Sequence, residues 1–378
     1  MKTTETNCKL DAMIADKQLV TLLISSLLLF GACQEKEVDV PLVLFQETGT
    51  ISTLHDAVES VQIIRLENND AVFGSINDVF VVDGDYYIVD NENQRLLRYD
   101  SEGRFICEFG RRGRGPGEFN NLLNVQIHKD TVIIYSVPEM TELLYDKNGN
   151  YLLTRTEEIH GVQFFHWDNG ILAFHGYGTS NCKLTFWENG KHMDYFPYTT
   201  KVVSFLDKRP VFSEDESSVF IRDPFEKTIF RFAQGKMVPW ISFDFGPYSI
   251  DKSFFSMDFM ESAEYIMESD ICLISRYYET ADYRFIEVDR PLEALTYYGV
   301  ANDDHWIWFN AGIKSEDMLS GRIKAIDGND LICLVERSLL LKIDTVLRDK
   351  LVEPDVLSNI DETGNDVIIR IKLAKDLR

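Results

Sequence analysis

The stretch GDYYIVDNENQRLLRYDSEGRFICEFGRRGRGPGEF, residues 84–119, carries the strongest structural pattern of this 378-residue chain. Its short runs of β-branched and aromatic residues are bounded by the pairs Asp83-Gly84 and Glu102-Gly103, which are typical of tight hairpins between half-buried strands. We therefore predict an inner strand over Asn77–Val82, a second over Tyr86–Val89, a third over Arg95–Tyr99 and an outer strand over Arg104–Glu108. Together they form one antiparallel four-stranded sheet.

The last hairpin of this stretch recurs along the chain. In RYDSEGRF, LYDKNGNY and TFWENGKH an aromatic residue stands four positions before a glycine, and RFAQGKM has a turn one residue shorter. The glycines are Gly103, Gly149, Gly190 and Gly235. A hairpin that returns every 40 to 50 residues or so is the signature of four-stranded propeller blades.

The end of the stretch, residues 110–119, combines four glycines, three arginines and one proline. A phosphate-binding loop needs a following helix that begins with Lys-Ser or Lys-Thr, and the sequence after Phe119 offers neither. The glycines permit a tight turn, Pro116 fixes φ, and Phe119 can fill the groove between two blades. We interpret the loop as the connection between blades. The candidates for binding an anionic ligand are its arginines, Arg111, Arg112 and Arg114.

Two motifs in this stretch resemble the NHL-type propeller repeat. The first, Asp-x-x-Asn-x-Arg, is matched by Asp90, Asn93 and Arg95. The second, the connection Gly-x-Gly-Pro-Gly-Glu-Phe, is matched by Gly113, Gly115, Pro116, Gly117, Glu118 and Phe119. Together with the N-terminal signal described below, the chain resembles the six-bladed β-propeller lipoproteins of the Bacteroides group. The resemblance is closest over residues 63–119.

The resemblance implies an all-β fold, a six-bladed β-propeller of four-stranded antiparallel blades. At about 45 residues per blade, length alone would also permit seven blades. Residues 251–270 are rich in Met, Glu and Ala, which predicts a short helical insertion between blades. Because unpaired sheet edges are unfavourable, we expect the terminal runs VQIIRL (61–66) and VIIRIKL (367–373) to lie in the same blade or in neighbouring blades.

The N-terminal region has the pattern of an export signal. Leu19–Phe30 is an uncharged run of twelve residues behind Lys17, whereas a membrane span needs roughly 20 apolar residues. Phe30-Gly31-Ala32-Cys33 resembles the lipobox of bacterial lipoproteins, which implies a signal peptide over residues 1–32 and a lipid on Cys33. The alternative is an ordinary secretory leader. We expect an acidic tether over residues 33–50 and a single propeller domain over residues 51–378.

Charge and sorting signals restrict the partners. The tract Gln34-Glu35-Lys36-Glu37 is similar to the acidic signal that sends lipoproteins of the Bacteroides group to the cell surface, although a plain solvated tether would look the same. We therefore expect attachment to the outer membrane through the lipid, with display at the cell surface. The formal net charge of −24 argues against nucleic-acid binding, since neutralising phosphates requires surplus Lys and Arg. No motif indicates a nucleotide.

The sequence contains no local catalytic motif: it lacks the Gly-x-Ser-x-Gly elbow, HExxH and an EF-hand loop. Its richest remaining polar group is Asp303-Asp304-His305, just before an apparent strand WIWFNAG. Such carboxylates and imidazole could bind a cation or exchange protons, but they also suit a polar loop that enters a blade.

The sequence is compatible with three functions. The first is a binding or scaffold module, without a cofactor, for a protein, peptide or glycan ligand. The second, by analogy with propeller enzymes, is a lactonase-like metal-dependent hydrolase or lyase that holds Ca²⁺ or Zn²⁺ in the central channel. The third is an envelope sensor or assembly factor whose partner contacts the arginine loop. All three rest on fold-level analogy, and one fold hosts many functions.

Overall fold

The computed structural model describes residues 40–47, 51–68, 73–156, 161–176, 180–197, 209–215, 217–312, 323–340, 345–359, 365–375 and 377. The chain separates into two units, Met1–Val40 and Pro41–Arg378. The expected signal peptide and Cys33 lie outside the described residues, and lipidation stays a prediction. Across the described ranges, no helix is both long enough and apolar enough to cross a membrane.

The strands are numbered in chain order. The first nine are β1 (Leu42–Leu44), β2 (Val58–Arg65), β3 (Ile76–Val82), β4 (Asp85–Asp90), β5 (Arg95–Tyr99), β6 (Phe105–Glu108), β7 (Arg111–Arg112), β8 (Glu118–Phe119) and β9 (Asn121–His128). The next nine are β10 (Thr131–Val137), β11 (Thr141–Asp146), β12 (Tyr151–Thr156), β13 (Gln163–Trp167), β14 (Gly170–Phe174), β15 (Cys182–Glu188), β16 (Lys191–Pro197), β17 (Phe212–Glu214) and β18 (Val219–Ile221). The last nine are β19 (Thr228–Ala233), β20 (Lys236–Asp244), β21 (Leu273–Glu279), β22 (Arg284–Arg290), β23 (Leu295–Asn302), β24 (His305–Gly312), β25 (Ile323–Asp327), β26 (Asp330–Val335) and β27 (Val367–Leu373).

The helices of the described residues are few and short. The α-helices are α1 (Ile51–Ala57), α2 (Phe259–Glu268), α3 (Arg337–Leu340) and α4 (Thr345–Arg348). The 3₁₀ helices span Gly246–Tyr248, Lys252–Ser256 and Pro354–Asn359. The longest α-helix, α2, confirms the predicted insertion between blades 4 and 5, and it begins with a capping box of Asp258 and Glu261.

Six antiparallel sheets form a six-bladed β-propeller, which confirms the predicted fold class. Blade 1 contains β3–β6, blade 2 β9–β12, blade 3 β13–β16, blade 4 β17–β20, blade 5 β21–β24, and blade 6 β25–β27 with β2. The inner strands, which line the central channel, are β3, β9, β13, β17, β21 and β25. The strands at the outer rim are β6, β12, β16, β20, β24 and β2.

The hairpins predicted from glycine spacing are present. The strands of blade 1 differ from the predicted bounds by one residue at most. Its first turn places Asp83 and Gly84 at φ of 54° and 85°, and positive φ at both positions matches the twist of the flanking strands. The recurring third hairpin has its glycine at positive φ in four successive blades, at Gly103, Gly149, Gly190 and Gly235.

The ring closes where the sequence predicted. Strand β2 pairs antiparallel with β27, from Val58 opposite Leu373 to Arg65 opposite Val367. Blade 6 therefore takes its outer strand from the N-terminal part of the propeller and its other three strands from the C-terminal part. This pairing ties the two ends of the ring together and removes two free edges.

An N-terminal strap crosses the groove between blades 4 and 5. Its strand β1 pairs in parallel with β20, which makes blade 4 a five-stranded sheet. Phe45 then packs edge-to-face on Tyr297 and Trp308 of blade 5, and Glu47 forms an ion pair with Arg290. Part of the segment expected to be a tether therefore belongs to the folded ring.

Candidate functional site

The channel wall is built from the inner strands of all six blades. Residues of β3, β9, β13, β17, β21 and β25 enclose a cavity of about 200 Å³ around the axis. Apolar side chains such as Val81, Leu122 and Phe212 supply much of its surface. The cavity has the size of a site for a small group.

Side-chain amides join neighbouring inner strands. Gln126 donates to the carbonyl of His166 at 2.9 Å and accepts from its backbone N–H at 2.6 Å. Gln163 makes the same two-way bridge to the carbonyl of Arg209 and the N–H of Val211, at 2.7 Å each. These bonds satisfy backbone groups that no strand pairs with, and they fix the wall against which a ligand would bind.

A pocket of about 630 Å³, here called the mouth pocket, lies at one end of the channel. Its lining comes from the starts of β3 and β25, from β21, from the end of β22 and from the hairpin that follows it. Along three inner strands its lining residues Asn77, Arg276 and Lys324 come earlier in the chain than the central-cavity residues Asp78, Tyr278 and Ala325. The mouth pocket therefore lies where the inner strands begin.

Arg276 is the central charge of this pocket. It is 4% exposed and donates to the carbonyl of Asn77 at 2.9 Å, with Glu287 at 3.4 Å and Asp78 at 3.5 Å. Burial by itself would lower the pKa of the guanidinium, but Glu287 and Asp78 outweigh burial and raise it. Among the described residues, nothing accepts a hydrogen bond from its Nε. A buried donor without an acceptor is unfavourable for folding.

The two carboxyl groups beside Arg276 have perturbed pKa values. Burial raises the pKa of Glu287, and Arg276 opposes the change only in part. Burial likewise raises the pKa of Asp78, again against the attraction of Arg276. Perturbed carboxyl groups in a cleft are typical of functional sites, because each can donate or accept a hydrogen bond as the ligand requires.

Arg209 and Asp289 form the outer layer of the mouth pocket. Arg209 pairs with Asp289 and also contacts the hydroxyl of Ser275. Asp289 accepts further hydrogen bonds from Ser275 at 2.5 Å and from Thr296 at 2.9 Å. Held by three donors, Asp289 keeps Arg209 oriented over the pocket, and this limits the side-chain entropy lost when a ligand binds.

A third carboxyl group with a raised pKa lines the central cavity. Glu214 ends β17 and keeps contact with solvent, but the surrounding protein still disfavours its charge and raises its pKa to about 7, with a smaller contribution from Asp215. Glu214 does not line the mouth pocket, which lies where the inner strands begin. Over the described ranges, no three His, Cys, Asp or Glu side chains are grouped so as to hold a metal ion.

The arginine loop is a rigid connection between blades 1 and 2. Glu118 organises it by accepting from Arg111 Nε at 2.7 Å and from the N–H groups of Arg114 and Gly115 at 3.0 and 2.8 Å. A Cβ on Gly113 would lie 2.1 Å from the Glu118 carboxylate, which explains the glycine there. The side chains of Arg111, Arg112 and Arg114 are exposed, and they do not line the mouth pocket or the central cavity.

Other motif residues of the same connection are structural. Phe119 is 2% exposed and packs with Tyr87 and Tyr145 in the apolar groove between blades 1 and 2. Tyr145 donates to the carbonyl of Gly117 at 2.9 Å, and Gly117 has a φ of 71°. Pro116 is exposed at the tip. The loop thus sits in the groove that the sequence assigned to it.

The Asp-x-x-Asn-x-Arg step holds blade 1 together. Asp90 is fully buried and accepts from the N–H groups of Gly74 and Asn93 at 2.9 and 3.1 Å, and from the Asn93 side chain at 2.8 Å. Arg95 makes a two-bond pair with Glu108 on the neighbouring strand, at 2.9 and 2.6 Å. These contacts fix the second hairpin and the outer strand, and none of them faces the channel cavities.

Asp303, Asp304 and His305 occupy the tip of the third hairpin of blade 5. All three are exposed, Asp303 has a φ of 54°, and Arg284 lies 3.8 Å from Asp304. They do not line the mouth pocket or the central cavity. The three residues therefore have the geometry of a solvated hairpin tip, as expected for a polar loop that enters a blade.

Sequence reasoning missed the residues of the mouth pocket. Arg276 lies in LISRYYE, and Glu287 and Asp289 lie in FIEVDR, and both strands also contain several large apolar residues. Charged residues within such strands are informative because a charge is rarely buried without a partner or a function. That signal was present in the sequence, but it did not show which strands line the channel.

Comparison with known proteins now places the fold. A protein-family model described as "Domain of unknown function (DUF4934)" matches residues 40–372. Among solved structures, an exported protein from Bacteroides fragilis aligns with a TM-score of 0.69 at 16% identity, over 89% of this chain and 99% of its own. A DUF4221-family member from Bacteroides vulgatus aligns with a TM-score of 0.50 at 10% identity, over 84% of this chain and 98% of its own. At these identities, the likeness shows the fold alone. Among curated proteins, none matches the sequence.

Proposed function

The chain belongs to the DUF4934 family, a domain of unknown function, and we propose that it is a ligand-binding propeller of the cell envelope. The mouth pocket takes the ligand, a glycan or a short peptide segment. The observation that carries this proposal is Arg276, a buried cation that lines the mouth pocket beside carboxyl groups of raised pKa and whose Nε has no acceptor among the described residues. Such a group is costly to keep in a core unless something binds there.

The chemistry of the pocket favours a polar ligand with several hydrogen-bonding groups. The cations that line it are Arg209, Arg276, Arg290 and Lys324, and the carboxyl groups that line it are those of Glu287 and Asp289. With four cations and two carboxyl groups, the pocket lining carries an excess of positive charge, which suits hydroxyl-rich groups that also bear a carboxylate. Hydrogen-bonding sites of this kind select ligands strongly, because a ligand that lacks a matching group leaves a buried partner unpaired.

The cellular setting is part of the same proposal. We infer export, a lipid on Cys33 and attachment to the outer membrane with display at the cell surface. The apolar run before Cys33 and the small residues at Gly31 and Ala32 support it, as does the structural neighbour from Bacteroides fragilis described as exported. No nucleotide, nucleic acid or metal enters the proposal.

The test uses thermal stability of the purified protein against a panel of neutral sugars, uronic acids and short peptides. A ligand at about 100 times its Kd stabilises the folded state by about 2.7 kcal/mol, which is measurable as a rise in Tm. A ligand found in this way should bind the Lys324→Gln variant about tenfold more weakly. The matched control is Lys236→Gln, an exposed lysine at the outer rim of blade 4, which should bind as the wild type does. Equal affinity of Lys324→Gln and wild type would place the ligand elsewhere and refute the assignment of the mouth pocket.

A further inference from the structure

The outer rim of the ring is covered unevenly. In blade 4 the outer strand β20 is paired with β1, and in blade 5 the outer strand β24 packs against α1 through Leu54 and Ala57. In blade 6 Val61 of β2 donates to the carbonyl of Lys350 at 2.8 Å and accepts from Val352 N–H at 2.9 Å. The chain therefore protects three neighbouring outer strands with segments of its own.

Blades 1 to 3 lack such protection in the described part of the chain, where no strand pairs with the outer edges of β6, β12 and β16. Among these, β12 differs in composition. All six of its residues, YLLTRT, are exposed, including Tyr151 at 38%, Leu152 at 51% and Leu153 at 42%. A long edge strand with exposed apolar side chains invites pairing by another strand, and native proteins usually blunt or cover such an edge.

The arginine loop adjoins the beginning of this strand. Gly117 lies so close to Tyr151 that a Cβ would sit 3.0 Å from its ring, and Tyr145 of the neighbouring β11 holds the Gly117 carbonyl. Arg112 and Arg114 project from the loop without an ion pair to any described residue. On a chain of net charge −24, this is a positive patch set on a rigid support.

We propose that β12 and the arginine loop form a docking surface for an extended segment of another protein, which adds to blade 2 as a fifth strand. The chain itself shows the geometry twice, since both β1 on β20 and residues 350–352 on β2 run parallel to the strand that they cover. A parallel strand on β12 begins beside Tyr151 and the arginine loop. The segment therefore carries carboxylates at its N-terminal end, followed by residues that alternate apolar and polar.

This surface is separate from the mouth pocket, because none of the residues lining that pocket belongs to β12 or the arginine loop. The charged end of the segment supplies orientation and steering, and the main-chain bonds supply most of the affinity. A backbone-paired strand also buries part of Leu152 or Leu153, whichever faces the same side as the added apolar residues.

The test is a charge swap with two labelled peptides, EDEVTVTV and KRKVTVTV, followed by fluorescence anisotropy on the purified protein. The wild type should bind EDEVTVTV at least about tenfold more tightly than KRKVTVTV. In Arg112→Glu/Arg114→Glu the preference should reverse, so that KRKVTVTV becomes the better ligand. The matched control, Lys191→Glu/Lys236→Glu, changes the net charge equally at exposed sites and should keep the wild-type preference.

Hydrogen exchange decides whether the peptide adds as a strand. Bound EDEVTVTV should slow exchange of amides in β12 while leaving those of β16 unchanged, because main-chain pairing protects the N–H groups of the covered edge. Binding without protection of β12 would overturn strand addition. A peptide preference that survives in Arg112→Glu/Arg114→Glu would overturn the role of the loop, and failure of EDEVTVTV to bind at about 1 mM would overturn the whole proposal.

Discussion

Removal of the buried guanidinium in Arg276→Met should destabilise the protein strongly and in a pH-dependent way. Arg276 is 4% exposed and faces Glu287, itself 3% exposed, so the variant leaves buried carboxylates without their counter-ion. Breaking a buried ion pair from one side costs about 3–5 kcal/mol. We expect a loss of that size near neutral pH.

The pH dependence follows from the carboxyl groups. The pKa of Glu287 is already raised above its ordinary value of 4.5 by burial, and loss of Arg276 removes the main opposing attraction, so it rises further. Since the folded state then binds protons more tightly than the unfolded chain, stability falls as pH rises from the unfolded pKa through the folded one. The loss caused by Arg276→Met should therefore be smaller at about pH 5 than at about pH 8.

The assay is urea unfolding of four proteins at both pH values: wild type, Arg276→Met, Glu287→Gln and the double variant. In the double variant the uncompensated charge is largely removed, and we expect it to be more stable than Arg276→Met by about 1–3 kcal/mol. Two results would refute the reasoning. One is a loss in Arg276→Met that does not change with pH, and the other is a double variant whose loss equals the sum of the single losses.

Four shorter predictions test the fold and the channel. Gly110→Ala should lower the free energy of unfolding by about 1–3 kcal/mol more than Gly84→Ala does, as measured by urea unfolding. Both glycines have positive φ, but only at Gly110 would a Cβ meet a neighbour, the Tyr145 hydroxyl at 2.4 Å. Gln163→Ala should lose about 1–3 kcal/mol, since it leaves the backbone N–H of Val211 without its acceptor between blades 3 and 4. Unchanged stability would show that the Gln163 bonds are dispensable. Phe45→Ala should lower Tm by several degrees and speed hydrogen exchange in β20, because it removes ring contacts that hold the strap; exchange at the wild-type rate would contradict this. Elemental analysis should find no stoichiometric Ca²⁺ or Zn²⁺, and EDTA should leave Tm unchanged, whereas a bound metal whose removal lowers Tm would favour the channel enzyme.

Local patterns in the sequence determined the class of fold and much of blade 1. Gly103, Gly149 and Gly190 predicted the repeated hairpin because a tight turn needs positive φ, and this requirement is local. The pairing of residues 61–66 with residues 367–373 could also be predicted, since free edges must be covered and both runs are apolar. The helical insertion was visible in composition alone.

Only the tertiary structure decided which side chains meet at the channel. Arg276 and Glu287 are cross-strand partners within blade 5, but Asp78 of blade 1 meets Arg276 only because the ring brings inner strands of different blades around one axis. Alternation along a strand tells which residues share a face, but not which face looks inward. The exposed edge of β12 is likewise a property of the assembled ring. The sequence of β12 does not reveal that other segments cover the outer strands of blades 4 to 6, whereas no described segment covers β12. Short stretches of sequence determine the local geometry of strands and turns. The lining of the channel and the exposure of the outer strands depend on contacts between residues far apart in the chain.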